Sequence, residues 1–169
     1  MFQLGTSFLR AVSLFTIVAT VLVGVPPASG SAEVPFEASF TTEFSAAISF
    51  PIAHISVNGE GQGRYLGRAE ASTTNQEANL ITGHVTATYT LKGANGDTVV
   101  LEMDADSFFT TPTHVIFEGT YTIVSGTGRF AGASGTGSLE GNATFTSPAG
   151  GVGEFAVSGT ISAPTGRRN

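Results

Sequence analysis

Cysteine is absent from the 169 residues. That excludes a disulfide framework, a zinc–cysteine site and a thiol nucleophile, and leaves the compartment open, because export needs no cysteine. Tryptophan is absent too, and Lys92 is the only lysine. Charged residues make up 12% of the chain and the formal net charge is -6. Nucleic-acid binding relies on clustered Lys and Arg against phosphates, so an acidic, lysine-poor chain argues against that class. Amphipathic helical periodicity is missing as well. What remains is rich in Gly (22 residues), with many Thr, Ser, Val and Phe. That composition suits strands and tight corners better than helices. The length predicts one domain, large enough to bury roughly two-thirds of its unfolded surface without staples.

One long apolar run exists, at residues 11–25. Arg10 precedes it as the single charge of the first thirty residues, and Pro26-Pro27 ends it. Ala28-Ser29-Gly30 and Gly30-Ser31-Ala32 then offer small residues at the first and third positions before a cut. This predicts a secretory signal peptide over residues 1–32, cleaved after Gly30 or Ala32, and hence a secreted, periplasmic or extracellular protein. No stable membrane span is expected after cleavage. The alternative is an uncleaved anchor, for which the run is short of the ~20 residues a bilayer requires. The domain is expected over residues 33–165, with residues 166–169 as a frayed tail.

From Phe36 onward the pattern has a period of two. Phe36, Ala38, Phe40, Thr42, Phe44 and Ala46 alternate with Glu37, Ser39, Thr41, Glu43 and Ser45. Successive strand side chains point to opposite faces, so this is a half-buried strand with its phenylalanines inward. The segment 50–54, containing Pro51, reads as a connection, and Asn58-Gly59 as a turn. An extended segment is expected over 61–72, and Thr73-Thr74-Asn75-Gln76-Glu77 reads as a polar loop. Ile81, Gly83, Val85, Ala87, Tyr89 and Leu91 form one face of the next strand, and Gly93-Ala94-Asn95-Gly96-Asp97 turns it into Val99, Leu101, Met103 and Ala105. Val115, Phe117, Gly119, Tyr121 and Ile123 follow, then Leu139, Gly141, Ala143 and Phe145, then Phe155, Val157, Gly159 and Ile161. Seven or eight alternating strands predict an all-β fold. We expect a closed antiparallel β-barrel of about eight strands, with inward glycines (83, 119, 141, 159) relieving crowding; a β-sandwich is the alternative.

Residues 125–137, Ser-Gly-Thr-Gly-Arg-Phe-Ala-Gly-Ala-Ser-Gly-Thr-Gly, hold five glycines around one large apolar side chain. Gly126-x-Gly128-x-x-Ala131 imitates a dinucleotide fingerprint, but that site needs a helix next, and the following glycines and serines do not make one. The stretch therefore reads as a structural corner at Gly126, Gly128, Phe130 and Gly132, with Phe130 plugging the core and Arg129 at the rim or paired with a carboxylate.

No catalytic set is legible. His54, His84 and His114 stand thirty residues apart, as solvent-facing side chains more than as metal ligands. His114 and Glu118 suggest a surface pair. Asp104 and Asp106 share a face, which makes calcium conceivable but supplies too few ligands. No metal or other cofactor is implied. Asn142-Ala143-Thr144 is a formal glycosylation sequon. Tyr89 and Tyr121 stand on inward faces, where a phenol needs a partner, and they are the candidate ligand contacts.

Three stretches carry a resemblance: Gly61-Gln62-Gly63-Arg64-Tyr65-Leu66-Gly67, Ala94-Asn95-Gly96-Asp97, and the run from Gly119 through Thr127-Gly128-Arg129-Phe130-Ala131-Gly132-Ala133 to Gly135. They resemble secreted bacterial proteins with an allene oxide cyclase-like barrel, and the last is similar to the Gly-Thr-Gly-x-Phe segment of dirigent proteins. The resemblance covers residues 61–135. It implies an eight-stranded antiparallel barrel with an apolar interior, a possible homotrimer, and no particular catalytic residue here. The expected function is a barrel that binds a small apolar ligand or serves as a structural module. The alternative is an allene oxide cyclase-like or dirigent-like isomerase that steers an apolar substrate inside the barrel by shape.

Overall fold

Strand alternation turns into a closed sheet. In the computed structural model, which describes residues 32–162, eight strands follow one another. They are β1 (Glu33–Ser49), β2 (Ile52–Gly63), β3 (Gly67–Asn79), β4 (His84–Gly93), β5 (Thr98–Thr111), β6 (His114–Gly126), β7 (Gly135–Ser147) and β8 (Gly150–Ser162). Each pairs antiparallel with the next, and β8 pairs antiparallel with β1, so the expected barrel forms and the sandwich does not. The predicted signal segment up to residue 31 and the tail at 166–169 lie outside the described residues.

Closure works because glycines are interspersed among aromatic side chains around the inside. Across β6, β7, β8, β1 and β2 one row reads Phe117, Gly141, Phe155, Phe40, Gly61. Phe40 and Phe155 stack with ring centres 5.1 Å apart. Phe117 lies over Gly141 and Phe40 over Gly61, neighbours that have no side chain, so large residues fit a small circumference without overpacking.

The up-and-down order gives the barrel two different ends. The β2–β3, β4–β5 and β6–β7 connections share one end with the start of β1 and the finish of β8. Phe36, Leu66, Leu91, Val99, Phe130 and Ile161 are buried there and fill it. The other four turns surround the opposite end.

The structure corrects the local reading in several places. Phe50-Pro51, a cis peptide, is the whole β1–β2 turn, and Ile52-Ala53-His54 already belong to β2. Asn58-Gly59 lies in mid-strand, paired with Glu43 and Thr42. The extended segment 61–72 is broken at Arg64-Tyr65-Leu66, where Tyr65 takes φ 68° and Gly67 takes φ 68°. Ile81 and Gly83 form the β3–β4 turn, Gly83 with φ 80°, so neither is an inward strand residue.

The largest correction is Thr73–Glu77. This stretch is strand, with one extra residue bulged out of register against both β2 and β4. Asn75 replaces the lost ladder bond: its Oδ1 accepts the Thr88 amide at 2.9 Å and the Thr73 hydroxyl at 2.8 Å. A bulge shifts the side-chain parity by one, so Ala69, Ala71 and Thr73 point inward before it and Gln76 and Ala78 after it.

At the corner, a single 3-10 turn (Gly128–Phe130) drops Phe130 into the closed end, where it is 0% exposed. Gly128 has φ 60°, and a Cβ there would overlap the Asp97 carboxylate. Asp97 lies 3.4 Å from Arg129 Nε, so the corner is tied to the β4–β5 turn. Thr98 and Thr127 reinforce that tie: the Thr127 amide donates to the Thr98 carbonyl at 2.9 Å, and the Thr98 amide donates to Thr127 Oγ1 at 3.0 Å.

Candidate functional site

The open end leads into a cavity of about 700 Å³. Phe44, Ala53, Ile55, Val57, Ala78, Val85, Met103, Ala105, Val115, Phe117 and Ala143 form its wall. Tyr89 and Phe155 lie at its base, with ring centres 5.2 Å apart. The wall is apolar because these are the inward positions of alternating strands. The space exists because the inward residues at this level include many alanines, whereas the closed end holds Phe, Leu, Ile and Val.

Ser107, Thr113, Asn142, Thr146 and Ser147 also line the cavity, and deeper in it polar groups are few. The Tyr89 hydroxyl donates to Gln76 Oε1 at 2.8 Å. Gln76 is there because the β3 bulge turns it inward. Thr42 adds a buried hydroxyl. No Asp, Glu, Lys, Arg or His lines the cavity, and Tyr89 is its one titratable group. Burial removes the hydration that a phenolate needs and pushes the Tyr89 pKa up, so this group stays a neutral donor.

The two tyrosines singled out by sequence separate here. Tyr121 is absent from the cavity wall. It sits deeper, its ring over the Gly137–Gly159 pair and edge-on to Phe36 with centres 6.4 Å apart. Burial pushes its pKa up to about 12. Tyr121 fills the core between cavity and plug, its hydroxyl buried without a hydrogen-bond partner, whereas Gln76, which the sequence reading did not single out, faces the cavity beside Tyr89. The sequence carried one signal for Gln76: inward alanines fall on odd numbers at 69 and 71 and on an even number at 78.

Both tyrosines prefer the neutral form when folded. Their contribution to stability is complete below the ordinary phenol pKa of about 10 and is lost as pH rises toward 12. Alkaline titration followed at 295 nm tests this. Of the three tyrosines, two should ionise only as the barrel unfolds; ionisation of all three together near pH 10 would refute the burial argument.

The histidines lie on the outer wall. His54 Nδ1 is 3.4 Å from Glu77, and His84 sits between Asp104 at 3.7 Å and Asp106 at 3.6 Å. His114 Nδ1 meets Thr144 Oγ1 at 2.9 Å. Among the described residues no group of three or more His, Asp or Glu is gathered so as to hold a metal ion. The corner glycines Gly126, Gly128 and Gly132 stand at the closed end, away from the cavity. A shallow depression of about 860 Å³ on the outer wall is lined by Glu60, Glu118, Glu140, Glu154 and Arg68 and is open to solvent. Comparison with protein-family models, with curated proteins and with solved structures finds no match to this chain.

Proposed function

We propose that this protein is a secreted barrel that holds one small, uncharged, apolar molecule in the cavity above Tyr89. The observation that carries the reading is the asymmetry of the barrel: one end filled by Phe130 and Leu66, the other opening on an apolar space with a single hydrogen-bonded polar pair at its base. Binding pockets combine apolar walls with a few placed polar groups in this way. The ligand is uncharged because no ion of either sign lines the space to neutralise a buried charge. It carries one hydrogen-bonding end, to engage Gln76 or Tyr89.

The same lining disfavours acid–base catalysis, since a phenol held neutral by burial neither removes a proton nor readily gives one up. Steering of a reactive substrate by shape, as the resemblance to cyclase-type barrels implies, is the competing outcome. The closed eight-stranded order is the architecture that this resemblance implies. A trimer, also implied by that resemblance, is checked by sedimentation.

Native mass spectrometry of the purified protein, with solvent extraction, is the direct test. One uncharged apolar molecule per barrel is expected, or uptake of N-phenyl-1-naphthylamine when the barrel is empty. Tyr89→Phe should weaken probe binding roughly three- to tenfold, the worth of one hydrogen bond. Tyr121→Phe should leave it unchanged. A barrel that takes up neither would be a structural module; conversion of the extracted molecule on incubation would select the isomerase.

A further inference from the structure

The barrel surface is divided along its axis. Residues 44–53, 78–83, 107–113 and 143–153, which make the open end, include no Asp, Glu, Lys, Arg or His. Three of the four turns there present large apolar side chains to solvent: Ile48 and Phe50, Leu80 and Ile81, Phe108 and Phe109. Phe50 is 75% exposed and Ile81 69%. Directly below comes a charged belt, with His54 against Glu77 and His84 against Asp104 and Asp106. Isolated exposed apolar residues need no explanation, but a crown of them around an opening does.

We propose that this crown docks on a lipid bilayer, so that the cavity exchanges its ligand with the membrane without passage through water. The inference rests on the cavity reading above. An uncharged apolar ligand partitions into bilayers, and the mouth it must cross lies inside the ring of exposed side chains. Most outward strand positions are polar, as in Glu37, Ser39, Thr41 and Glu43, and the exposed Ile116, Val124 and Val152 are scattered among them. A bilayer therefore does not enclose the barrel, which would need a continuous outward apolar band. Only its end enters the interface, with the charged belt as the natural stop.

One other occupant fits less well. A second copy docked mouth to mouth would touch only along the rim. The six exposed side chains offer on the order of 600 Å², below the roughly 800 Å² per partner of a standard interface. The surface charge also selects the kind of membrane. An acidic body, with Asp106, Glu118 and Glu140 side by side across β5, β6 and β7, is repelled by anionic lipid, so docking is apolar and prefers zwitterionic surfaces.

The absence of cysteine makes a clean test. The full protein carries a polarity-sensitive fluorophore at Ser49→Cys on the crown or at Ala94→Cys in the closed-end turn, and is mixed with phosphatidylcholine vesicles. The crown label should shift to the blue and brighten several-fold while the closed-end label stays constant. Phosphatidylglycerol should lower the response. Phe50→Ser with Ile81→Ser, two exposed side chains outside the cavity wall, should cut vesicle partition at least about tenfold, with N-phenyl-1-naphthylamine binding within twofold of the parent. A closed-end label that responds as strongly, or partition unmoved by the double substitution, overturns the proposal and leaves the cavity reading standing. A dimer abolished by that substitution, without vesicle partition, assigns the crown to self-association and overturns it too. Docking by a protein that binds no apolar probe would instead remove the cavity reading and the exchange with it.

Discussion

Replacing Phe130 by alanine should cost about 3–5 kcal/mol, the range for deleting a buried aromatic ring. A domain of this kind has a total stability of only about 5–15 kcal/mol. Phe130 is 0% exposed and is the one large apolar side chain of its corner. Its neighbours cannot collapse onto the void. Gly126 already approaches Phe130 closely: a Cβ there would lie 2.8 Å from Phe130 Cβ and 2.8 Å from the Thr98 carbonyl oxygen. The guanidinium of Arg129 lies 5.2 Å from the ring centre and would lose that partner as well. Urea unfolding should show a large fall in midpoint at unchanged slope. Phe50→Ala, at an exposed site, should move it by no more than about 0.5 kcal/mol. Similar midpoints for the two variants would mean that the corner does not plug the barrel.

The second large effect is expected at Gly137. A Cβ there would lie 2.7 Å from the Gly159 Cα and 2.7 Å from Tyr121 Cε1, and would also press on the Ser158 carbonyl oxygen. Two of those obstacles are backbone atoms of the paired strand, which cannot step aside without opening the β7–β8 ladder. Gly137→Ala should therefore destabilise by about 3 kcal/mol, the upper part of the range for overpacking. Gly137→Val should leave little folded protein. Removing the third obstacle with Tyr121→Ala should recover part of the loss, about 1 kcal/mol of coupling in a double-mutant cycle. Strict additivity of the two substitutions would show that the ring does not rest on that glycine pair. Gly132, at φ 73° with open space around its α-carbon, is the contrast: substitution there meets backbone strain alone.

How legible a position was depended on whether its neighbours in sequence were also its determinants. The hairpin turning at Gly93–Asp97 was readable because two alternating runs and an Asn-Gly carry the signal locally. Asn58-Gly59 carries the same dipeptide and lies inside β2, because the strands on either side hold it in register and the inward glycine lets Thr42 pack close. Thr73–Glu77 looked like a loop because none of its side chains is apolar. Its strand pairing depends on Asn75 reaching Thr88, thirteen residues away. Tyr89 and Tyr121 were equivalent as inward phenols, yet one faces the cavity and the other fills the core. Nothing along β4 or β6 states how far each lies from the open end.

By itself, the sequence determined the all-β class, the inward face of most strands and the corner at residues 125–137, since each follows from local alternation and backbone chemistry. Tertiary structure alone decided which end is filled and which is open, that Gln76 joins Tyr89 at the base of the cavity, and that apolar side chains from three separate turns form one crown. The physical reason is closure. Only when β8 returns to β1 do residues far apart along the chain reach the same height on the barrel axis, and height is what separates plug, cavity and rim.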